Sequence, residues 1–415
     1  MSRPPKPYFT MRPLPLKKVN ESATMKNLVI LIRREFALFY ANKIFLAAFL
    51  LLPLLLSMVN GFVYRKGRVT DQPIVVVDRD ISPSSQQFRQ AMEDNNVLHI
   101  VKVVHESQDL HQLLLDYKAI GVVIIPYRFE ADLLQQRRPE VNCYLNMANT
   151  ITSGAVSGAL SANAAAMNLE LVSAGLLKKG LPASAAANNL AFKPNTFFQY
   201  NPAGNYLYFL WPGLIFATLH QLLLLALAVS FSGEVDAGTF NRQGLLGYSI
   251  SPLVLIMAKV IPYLCLSFFT LGIYFLLSLL FRVPLPEHME LLFFSQFLMV
   301  LGACFLSVLY SLIYPVPLKA SQLLMSIATP AFTLSGFTWP VAQAPVLLSS
   351  FGKIVPLTPY LKLLRMALLQ GAGWGDCQGQ LFHQLILLAV YFSLAVVLLH
   401  SKIRKIIKAP TILKP

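Results

Sequence analysis

The chain has 415 residues, of which 55% are hydrophobic and only 13% are charged, where soluble domains carry about a quarter. Its formal net charge of +15 does not indicate nucleic-acid binding, because residues 65–205 hold thirteen basic and twelve acidic side chains. A nucleic-acid binder would carry a basic face on a folded domain. Composition therefore predicts a membrane protein with one soluble region and no nucleic-acid partner.

The excess of basic residues lies at the two ends of the chain. Residues 1–43 contain nine Lys or Arg and two acids, and residues 401–415 contain five and none. Basic residues flanking membrane spans favour the cytoplasmic side. We therefore expect two cytoplasmic basic tails, at 1–43 and 401–415, with an amphipathic helix over 26–43 lying in the membrane interface.

Six segments are long and apolar enough to cross a bilayer about 30 Å thick. They predict an all-α polytopic membrane protein with six transmembrane helices, and an even number agrees with two cytoplasmic ends. The segment at 321–337 is the weakest, because it is short and contains Pro330. The predicted spans are 44–64, 207–231, 253–281, 291–314, 321–337 and 381–400.

The long loop at 65–205 predicts an inserted extracytoplasmic α/β domain, because β-type runs at 73–78, 97–104 and 120–126 alternate with helical patterns at 84–95 and 108–117. Residues 150–191 predict polar-faced helices outside the membrane, since Asn163, Asn168 and Glu170 would be costly in lipid. Cys143 and Cys377 would both face an oxidising compartment, and whether they pair stays open.

Three groups of motifs carry a family resemblance. They are GEVDAGT at 233–239 with Ser251-Pro252 and KVIP at 259–262, LSGFTWP at 334–340 with VPLTPY at 355–360 and Arg365, and the loop residues 74–80, 82, 84–88, 119–126 and Phe129. On these residues, the chain from about 26 to 400 resembles ABC-2 type permeases, in particular the membrane subunits of bacterial drug and lipid exporters with a large extracytoplasmic domain.

The resemblance implies a coupling role for residues 232–251. In the family a short cytoplasmic helix at this place docks into the partner ATPase, which implies coupling roles for Glu234, Asp236, Gly238, Thr239 and Arg242. Glu234 and Asp236 would suit a helix N-terminus, and Gly238 would allow close approach. An ordinary hydrophilic connector is the alternative interpretation.

The segment 334–371 predicts a re-entrant outer gate. Its apolar stretches are too short to span, and Pro340, Pro356 and Pro359 interrupt any continuous helix. Trp339 would lie at the interface, and Arg365 would reach lipid head groups or an acid. A surface loop fixed to the soluble domain is the alternative. The expected gate residues are Gly336, Trp339, Pro340, Pro359 and Arg365.

His220 and Gln221 lie within the second predicted span and could line a substrate pathway, although a hydrogen bond between helices explains them equally well. His99, His105 and His111 do not predict a metal site, because six-residue spacing places no two on one helical face.

No catalytic residues, cofactor or metal are predicted in this chain. Gly352-Lys353 lacks the rest of a phosphate loop. The protein is therefore not expected to be an enzyme, and ATP and Mg²⁺ are expected on a partner ABC ATPase subunit. The other expected partners are a second permease, identical or related, membrane lipid and, in a double-membrane bacterium, a periplasmic adaptor protein.

The predicted function is export of an amphipathic, lipid-like or drug-like substrate from the cytoplasm or inner membrane of a bacterium by an ATP-driven ABC exporter. Two other classes stay open. A membrane-anchored sensor with an extracytoplasmic ligand-binding domain usually has a large cytoplasmic output domain. An ion-coupled secondary transporter would need ion sites at mid-membrane, and only His220 and Pro330 point to such sites.

Overall fold

The computed structural model describes residues 24–106, 109–135, 137–178 and 199–408, without the side chains of residues 24, 44, 45, 178 and 342. The chain divides into two compact units. One contains the chain up to Gly67 and from Gln199 onward, and the other is the insertion Arg68–Phe198. The region before residue 24, residues 179–198 and the end of the basic tail after residue 408 lie outside the described residues.

The described elements follow in chain order. The helices are α1 (Thr24–Ala41), α2 (Lys43–Val63), α3 (Pro83–Glu93), α4 (Leu110–Asp116), α5 (Phe129–Leu134), α6 (Thr150–Lys178), α7 (Tyr206–Ala228), α8 (Ser232–Asp236), α9 (Pro252–Phe281), α10 (Met289–Ile313), α11 (Pro317–Leu334), α12 (Val346–Lys353), α13 (Leu357–Leu369) and α14 (Gln378–Lys408). The strands are β1 (Gln72–Asp78), β2 (Leu98–Val104), β3 (Gly121–Ile125) and β4 (Asn142–Leu145).

Within the first unit the helices pack into a bundle around α7 and α10. These two helices are mostly buried, whereas α2 and α14 expose most of their apolar side chains. Hydrophobic side chains on a bundle surface are expected where lipid is the solvent. The predicted interfacial helix is α1, which packs along α9 through Phe39 and Tyr263, whose ring centroids are 5.9 Å apart.

Six helices in the described ranges are long and apolar enough to cross a membrane by length and composition, which fits a polytopic membrane protein. Five coincide with predicted spans. The sixth is α6, which we expected outside the membrane, and the predicted span 321–337 is not among them. The six are Leu46–Val63, Thr150–Leu177, Tyr206–Asp236, Pro252–Phe281, Met289–Ile313 and Gln378–Lys408.

The predicted span 321–337 does form a helix, α11, with polar Lys319, Ser321 and Gln322 in its first turns. One face of α11 is buried and packs against α7, through Ala320, Leu324, Ala328 and Ala331. The predicted helix is therefore present, and its buried face packs on the bundle.

Contacts inside the bundle show which helix ends lie together. Ser311, near the end of α10, accepts hydrogen bonds from the backbone N–H groups of Phe231 and Ser232. Arg242 donates to the carbonyl of Ile407 at the end of α14. The ends of α7, α10 and α14 therefore lie together at one end of the bundle. Residues 229–251, which link α7 to α9, are called the connector, and this end of the bundle is called the connector end.

The insertion leaves and rejoins the bundle at one place, which lies at the end opposite the connector end. The Tyr206 N–H donates to the Gly67 carbonyl at 2.6 Å, and the rings of Tyr64 and Tyr206 lie 5.5 Å apart. Gly61 on α2 lies against Phe281 at the end of α9. Residues 68–205 therefore begin and end on the same side of the bundle.

The insertion is an α/β unit whose strands follow the predicted order. Strands β1, β2 and β3 are parallel, β4 is antiparallel, and the order across the sheet is β2-β1-β3-β4. α3 and α6 cover one face, where Phe88, Val156 and Leu160 pack on Val76 and Val123. The three predicted strands and two predicted helices are confirmed with small changes of boundary. β4 and α5 were missed, because β4 is short and its side chains are largely exposed.

Gly213 on α7 lies very close to Phe337, so replacing this glycine tests the contact between α7 and the segment 334–371. A Cβ at Gly213 would come within 2.5 Å of the buried Phe337 ring, whereas a Cβ at Gly272 on α9 would meet nothing within 4 Å. Gly213→Ala should therefore lower the free energy of unfolding by about 1–3 kcal/mol, as overpacking does.

The matched control is Gly272→Ala, which should leave stability unchanged or raise it by up to about 1 kcal/mol, the helix-propensity difference. Thermal unfolding of both variants in detergent measures the difference. Equal melting temperatures for the two variants would contradict the close contact.

Candidate functional site

Four charged side chains meet at the connector end of the bundle. Arg34 and Glu35 are neighbours on α1, Glu234 lies on α8 within the connector, and Lys259 lies two turns into α9. They form the four-charge cluster, with two cations and two carboxyl groups. Buried charges need partners, because leaving a buried charge unpaired costs free energy of folding.

The charged atoms of the cluster lie within hydrogen-bonding distance at each contact. Lys259 Nζ lies 2.7 Å from Glu234 Oε1 and 2.9 Å from Glu35 Oε1. Arg34 donates from Nη1 to Glu234 Oε1 at 2.7 Å and from Nη2 to Oε2 at 3.0 Å. Glu234 and Lys259 are each 5% exposed. Glu234 thus accepts from both cations and is the centre of the cluster.

Arg34 has the most exposed side chain of the four, at 21%, and contacts both carboxyl groups. Burial alone would lower its pKa, but the hydrogen bond and charge of Glu234, together with the charge of Glu35, raise the pKa above its ordinary value. The Arg34 side chain is therefore a cation where it contacts the connector.

The connector presents Glu234 by a specific backbone turn. Gly238 has φ +66°, a left-handed conformation that glycine adopts without strain. The N–H of Gly238 donates to the Val235 carbonyl at 3.1 Å, and the N–H of Thr239 donates to the Glu234 carbonyl at 2.8 Å. These two bonds form a Schellman motif, which ends α8 after little more than one turn. The Thr239 hydroxyl also donates to the Glu234 carboxylate.

The opposite face of the connector is exposed. Val235, Asp236, Asn241 and Gln243 lie on this face, while Phe231, Phe240, Leu245 and Leu246 are buried beneath it. Asn241 shapes the loop, since its Oδ1 accepts from Gln243 N at 2.9 Å and Gly244 N at 2.7 Å. The outer face therefore combines a rigid backbone with accessible side chains.

These positions refine the expectations for the coupling residues. Glu234 and Thr239 meet in the interior of the connector, and Asp236 lies on its exposed face. Glu234 contacts cations rather than serving the N-terminus of α8. Gly238 does not mediate close approach, because a Cβ there would meet nothing within 4 Å; its role is the left-handed turn. Arg242 is bound to the end of α14.

The outer segment 334–371 contains two short helices, α12 and α13, with the three prolines outside them or in the first turn of α13. Gly336 has φ +80° and begins the turn after α11. The ring of Phe337 stacks on Phe209 of α7 with centroids 5.3 Å apart. Thr358 Oγ1 donates to the Gly352 carbonyl at 2.6 Å, which joins the two short helices.

Arg365 contacts the backbone of the turn after α11. Its Nη2 donates to the carbonyls of Gly336 at 2.9 Å and Phe337 at 2.6 Å, and its guanidinium lies 4.8 Å from the centre of the Phe337 ring. It therefore binds the turn after α11, and within the described ranges it forms no ion pair with an acid. Trp339 is 59% exposed and Pro340 precedes a 3₁₀ turn, whereas Pro359 is buried.

The two pathway candidates on α7 are placed differently from each other. His220 is fully buried, and neither ring nitrogen has a hydrogen-bond partner among the described residues. Gln221 is partly exposed. The alternative of an interhelical hydrogen bond from His220 is therefore not observed. In the described ranges no group of three or more His, Cys, Asp or Glu side chains could hold a metal ion.

Arg34, Glu35 and Lys259 were missed as site residues. The signal in the sequence was a balanced set of charges in otherwise apolar surroundings, with Arg34-Glu35 inside the α1 pattern and Lys259 inside a predicted span. A lysine near the end of a span can extend its ammonium toward the interface. The Lys259 ammonium instead lies on two carboxyl groups in the interior, because Glu234 and Glu35 converge there.

Charge balance in the cluster predicts a compensating pair of substitutions. Lys259→Met leaves Arg34 alone with two carboxyl groups and should cost about 3–5 kcal/mol of unfolding free energy, as for other broken buried pairs. Adding Glu35→Gln restores equal numbers of cations and carboxyl groups, so the double variant should be more stable than Lys259→Met alone.

Thermal unfolding of the purified variants in detergent measures both effects. Lys353→Met, at an exposed lysine on α12, controls for the loss of a charge as such. A double variant less stable than the single one would show that the charges are not coupled.

Comparison with known proteins places this arrangement in a family. The family model described as ABC-2 family transporter protein matches residues 43–399. The chain is 21% identical over 360 residues to the probable multidrug ABC transporter permease YbhR of Escherichia coli, covering 86% of this chain and 94% of that protein. It is 25% identical over 193 residues to the permease YbhS of the same organism, covering 45% and 51%.

A eukaryotic relative is ABC transporter G family member 20 of Dictyostelium discoideum, with 21% identity over 350 residues that cover 82% of this chain and 46% of that protein. The family model extends from α2 into α14 and includes the connector, the insertion and the outer segment. The predicted resemblance is confirmed, and a transporter subunit is favoured over a sensor or an ion-coupled carrier. The chain belongs to the ABC-2 family of transporter proteins and is a membrane-spanning subunit of an ABC transporter.

Proposed function

We propose that this chain is the permease half of an ATP-driven exporter that moves an amphipathic, lipid-like or drug-like substrate out of the cytoplasm or inner membrane of a bacterium. A separate ABC ATPase subunit binds ATP and Mg²⁺, and two permease halves, identical or related, form the transport unit. The names of the E. coli relatives as multidrug permeases support the substrate class.

The connector is the observation that carries the proposal. Its inner side is fixed by the four-charge cluster, and its outer face offers Val235, Asp236, Asn241 and Gln243 to a partner. An apolar side chain beside polar groups on a rigid backbone suits a protein interface. The ATPase binds this outer face, while Glu234 holds the connector to the bundle without contacting the partner.

Movement of the connector is passed to several helices at once. The four-charge cluster links the connector to α1 and α9, Ser311 links it to α10, and Arg242 links it to α14. ATP binding drives transport only if the ATPase has different affinities for two arrangements of these helices. Because these links are short, and those to α9 and α10 are buried, displacement of the connector changes the packing of the helices at this end.

The outer gate receives this change through α7. From Ala228 to Phe209, α7 extends about 28 Å at 1.5 Å per residue. Phe209 and Gly213 contact Phe337, and Arg365 fixes Phe337 to α13. A shift of α7 would therefore move the segment 334–371, which controls the exit of the substrate.

The topology completes the proposal. The connector end is cytoplasmic, as are both chain ends, and residues 65–205 lie outside the cytoplasm. Support comes from α10 and α14, which both end at the connector end, so the chain between them must cross once, and α11 is the long helix there. Tyr64 and Tyr206 meet at the opposite end, which is compatible with an insertion that does not cross.

Charge reversal at Asp236 tests the docking face. Asp236→Arg should reduce substrate-stimulated ATPase activity of the reconstituted complex about tenfold, within the usual range of coupling energies between sites. Melting temperature should not change, because Asp236 is exposed. Glu234→Arg is a poorer test, since it would also place three cations in the cluster.

Glu287→Arg is the matched control, because it reverses an exposed acid in the loop between α9 and α10, away from the connector. That variant should retain its activity. Normal ATPase stimulation and export by Asp236→Arg would show that the outer face is only a linker.

Cysteine accessibility tests the topology. After replacement of the native cysteines, single cysteines at the exposed positions Gln86, Ser161 and Gln243 are treated with a membrane-impermeant maleimide. In intact spheroplasts Gln86→Cys and Ser161→Cys should react, and Gln243→Cys should react only after the membrane is opened. The reverse pattern would rule out the proposed orientation.

A further inference from the structure

An open groove of about 920 Å³ lies within the insertion, beside α6 and the β4 edge of the sheet. Phe88 of α3, Phe129 of α5, and Leu160, Met167 and Leu171 of α6 contribute apolar side chains to it. Small-molecule sites have volumes of about 300–1,000 Å³ and mostly apolar linings. The groove therefore has the size and surface of a ligand site, and neither the connector nor the outer gate uses it.

The charges that line the groove have one sign. Arg137 and Arg138 lie on its wall, and none of its described lining residues carries a carboxyl group. Arg138 makes no ion pair with any residue in the described ranges, and Arg137 contacts Asp132 at 3.6 Å with 64% of its side chain exposed. An exposed pair of this kind contributes little stability. Both guanidinium groups can therefore bind an anion, for which their geometry is suited.

Polar groups are few and lie on one face of α6. Ser157, Ser161 and Asn168 line the groove at spacings of four and seven residues, which place them on the same side of the helix as Leu160 and Met167. A small number of polar groups among apolar ones fixes the orientation of a ligand. The arrangement suits a molecule that is apolar along most of its length and acidic at one end.

We propose that this groove binds a single-chain anionic amphiphile, with its apolar chain along α6 and its acidic head group on Arg137 and Arg138. The volume is that of a drug-sized ligand, which favours one acyl chain over a two-chain lipid. The inference goes beyond the proposed export function. The lining residues of the groove all belong to the insertion.

Cys143 on β4 provides a reporter inside the groove. The experiment uses the full-length chain in nanodiscs of zwitterionic lipid, with Cys265, Cys304 and Cys377 replaced by Ala. The rate of alkylation by N-ethylmaleimide is measured with and without dodecanoate. Burial raises the pKa of the Cys143 thiol, so the reaction is followed at about pH 8.5, where more of the thiolate forms.

Saturating dodecanoate should slow alkylation of Cys143 about tenfold, because the reagent reaches only the unoccupied groove. Dodecyltrimethylammonium, with the same chain and a cationic head, should not slow it. The double variant Arg137→Glu/Arg138→Glu should lose the protection. Lys102→Glu, on the β2 edge at the other side of the sheet, should keep it and controls for the change of charge.

A second reporter separates local protection from general effects. With Cys143 replaced by Ser, Gln86→Cys on the exposed face of α3 should react at the same rate with or without dodecanoate. Unchanged alkylation of Cys143, equal protection by the cationic amphiphile, or protection of Gln86→Cys would each overturn the proposal. So would a Cys143 thiol that does not react in the absence of dodecanoate, because the groove would then be covered by another part of the chain.

Discussion

Charge neutrality in the interior is the constraint on which the connector end depends. Arg34 and Lys259 share the two carboxyl groups of Glu35 and Glu234, and three of the four side chains are at most 10% exposed. Each member comes from a segment that could not be buried alone, since an unpaired charge would remain. Helix α1, the connector and α9 are therefore stable in this arrangement only together.

The same constraint explains why the backbone of the connector is so sharply defined. Glu234 has to face inward, so the chain must reverse within a few residues, and Gly238 permits the left-handed turn that does this. The reversal leaves Asp236 and Val235 outward. The inner face of one short helix thus holds the bundle, while its outer face stays exposed.

The sequence predicted the family, five of the six apolar helices and the order of the α/β elements, because hydrophobic periodicity and turn residues are local signals. It did not predict the four-charge cluster, since Arg34 and Glu234 are 200 residues apart and their pairing depends on packing. The same holds for Arg365, whose partners are backbone carbonyls without a sequence signal.

The junction between the bundle and its insertion has a consequence for evolution. Gly67 and Tyr206 are joined by a direct backbone hydrogen bond of 2.6 Å, so the two ends of a region of more than a hundred residues meet at neighbouring peptides. Loop-closure entropy changes only slowly with the length of the enclosed chain. Closure at Gly67 and Tyr206 therefore sets little limit on the length of the enclosed chain, so the insertion can grow or shrink while the bundle is retained.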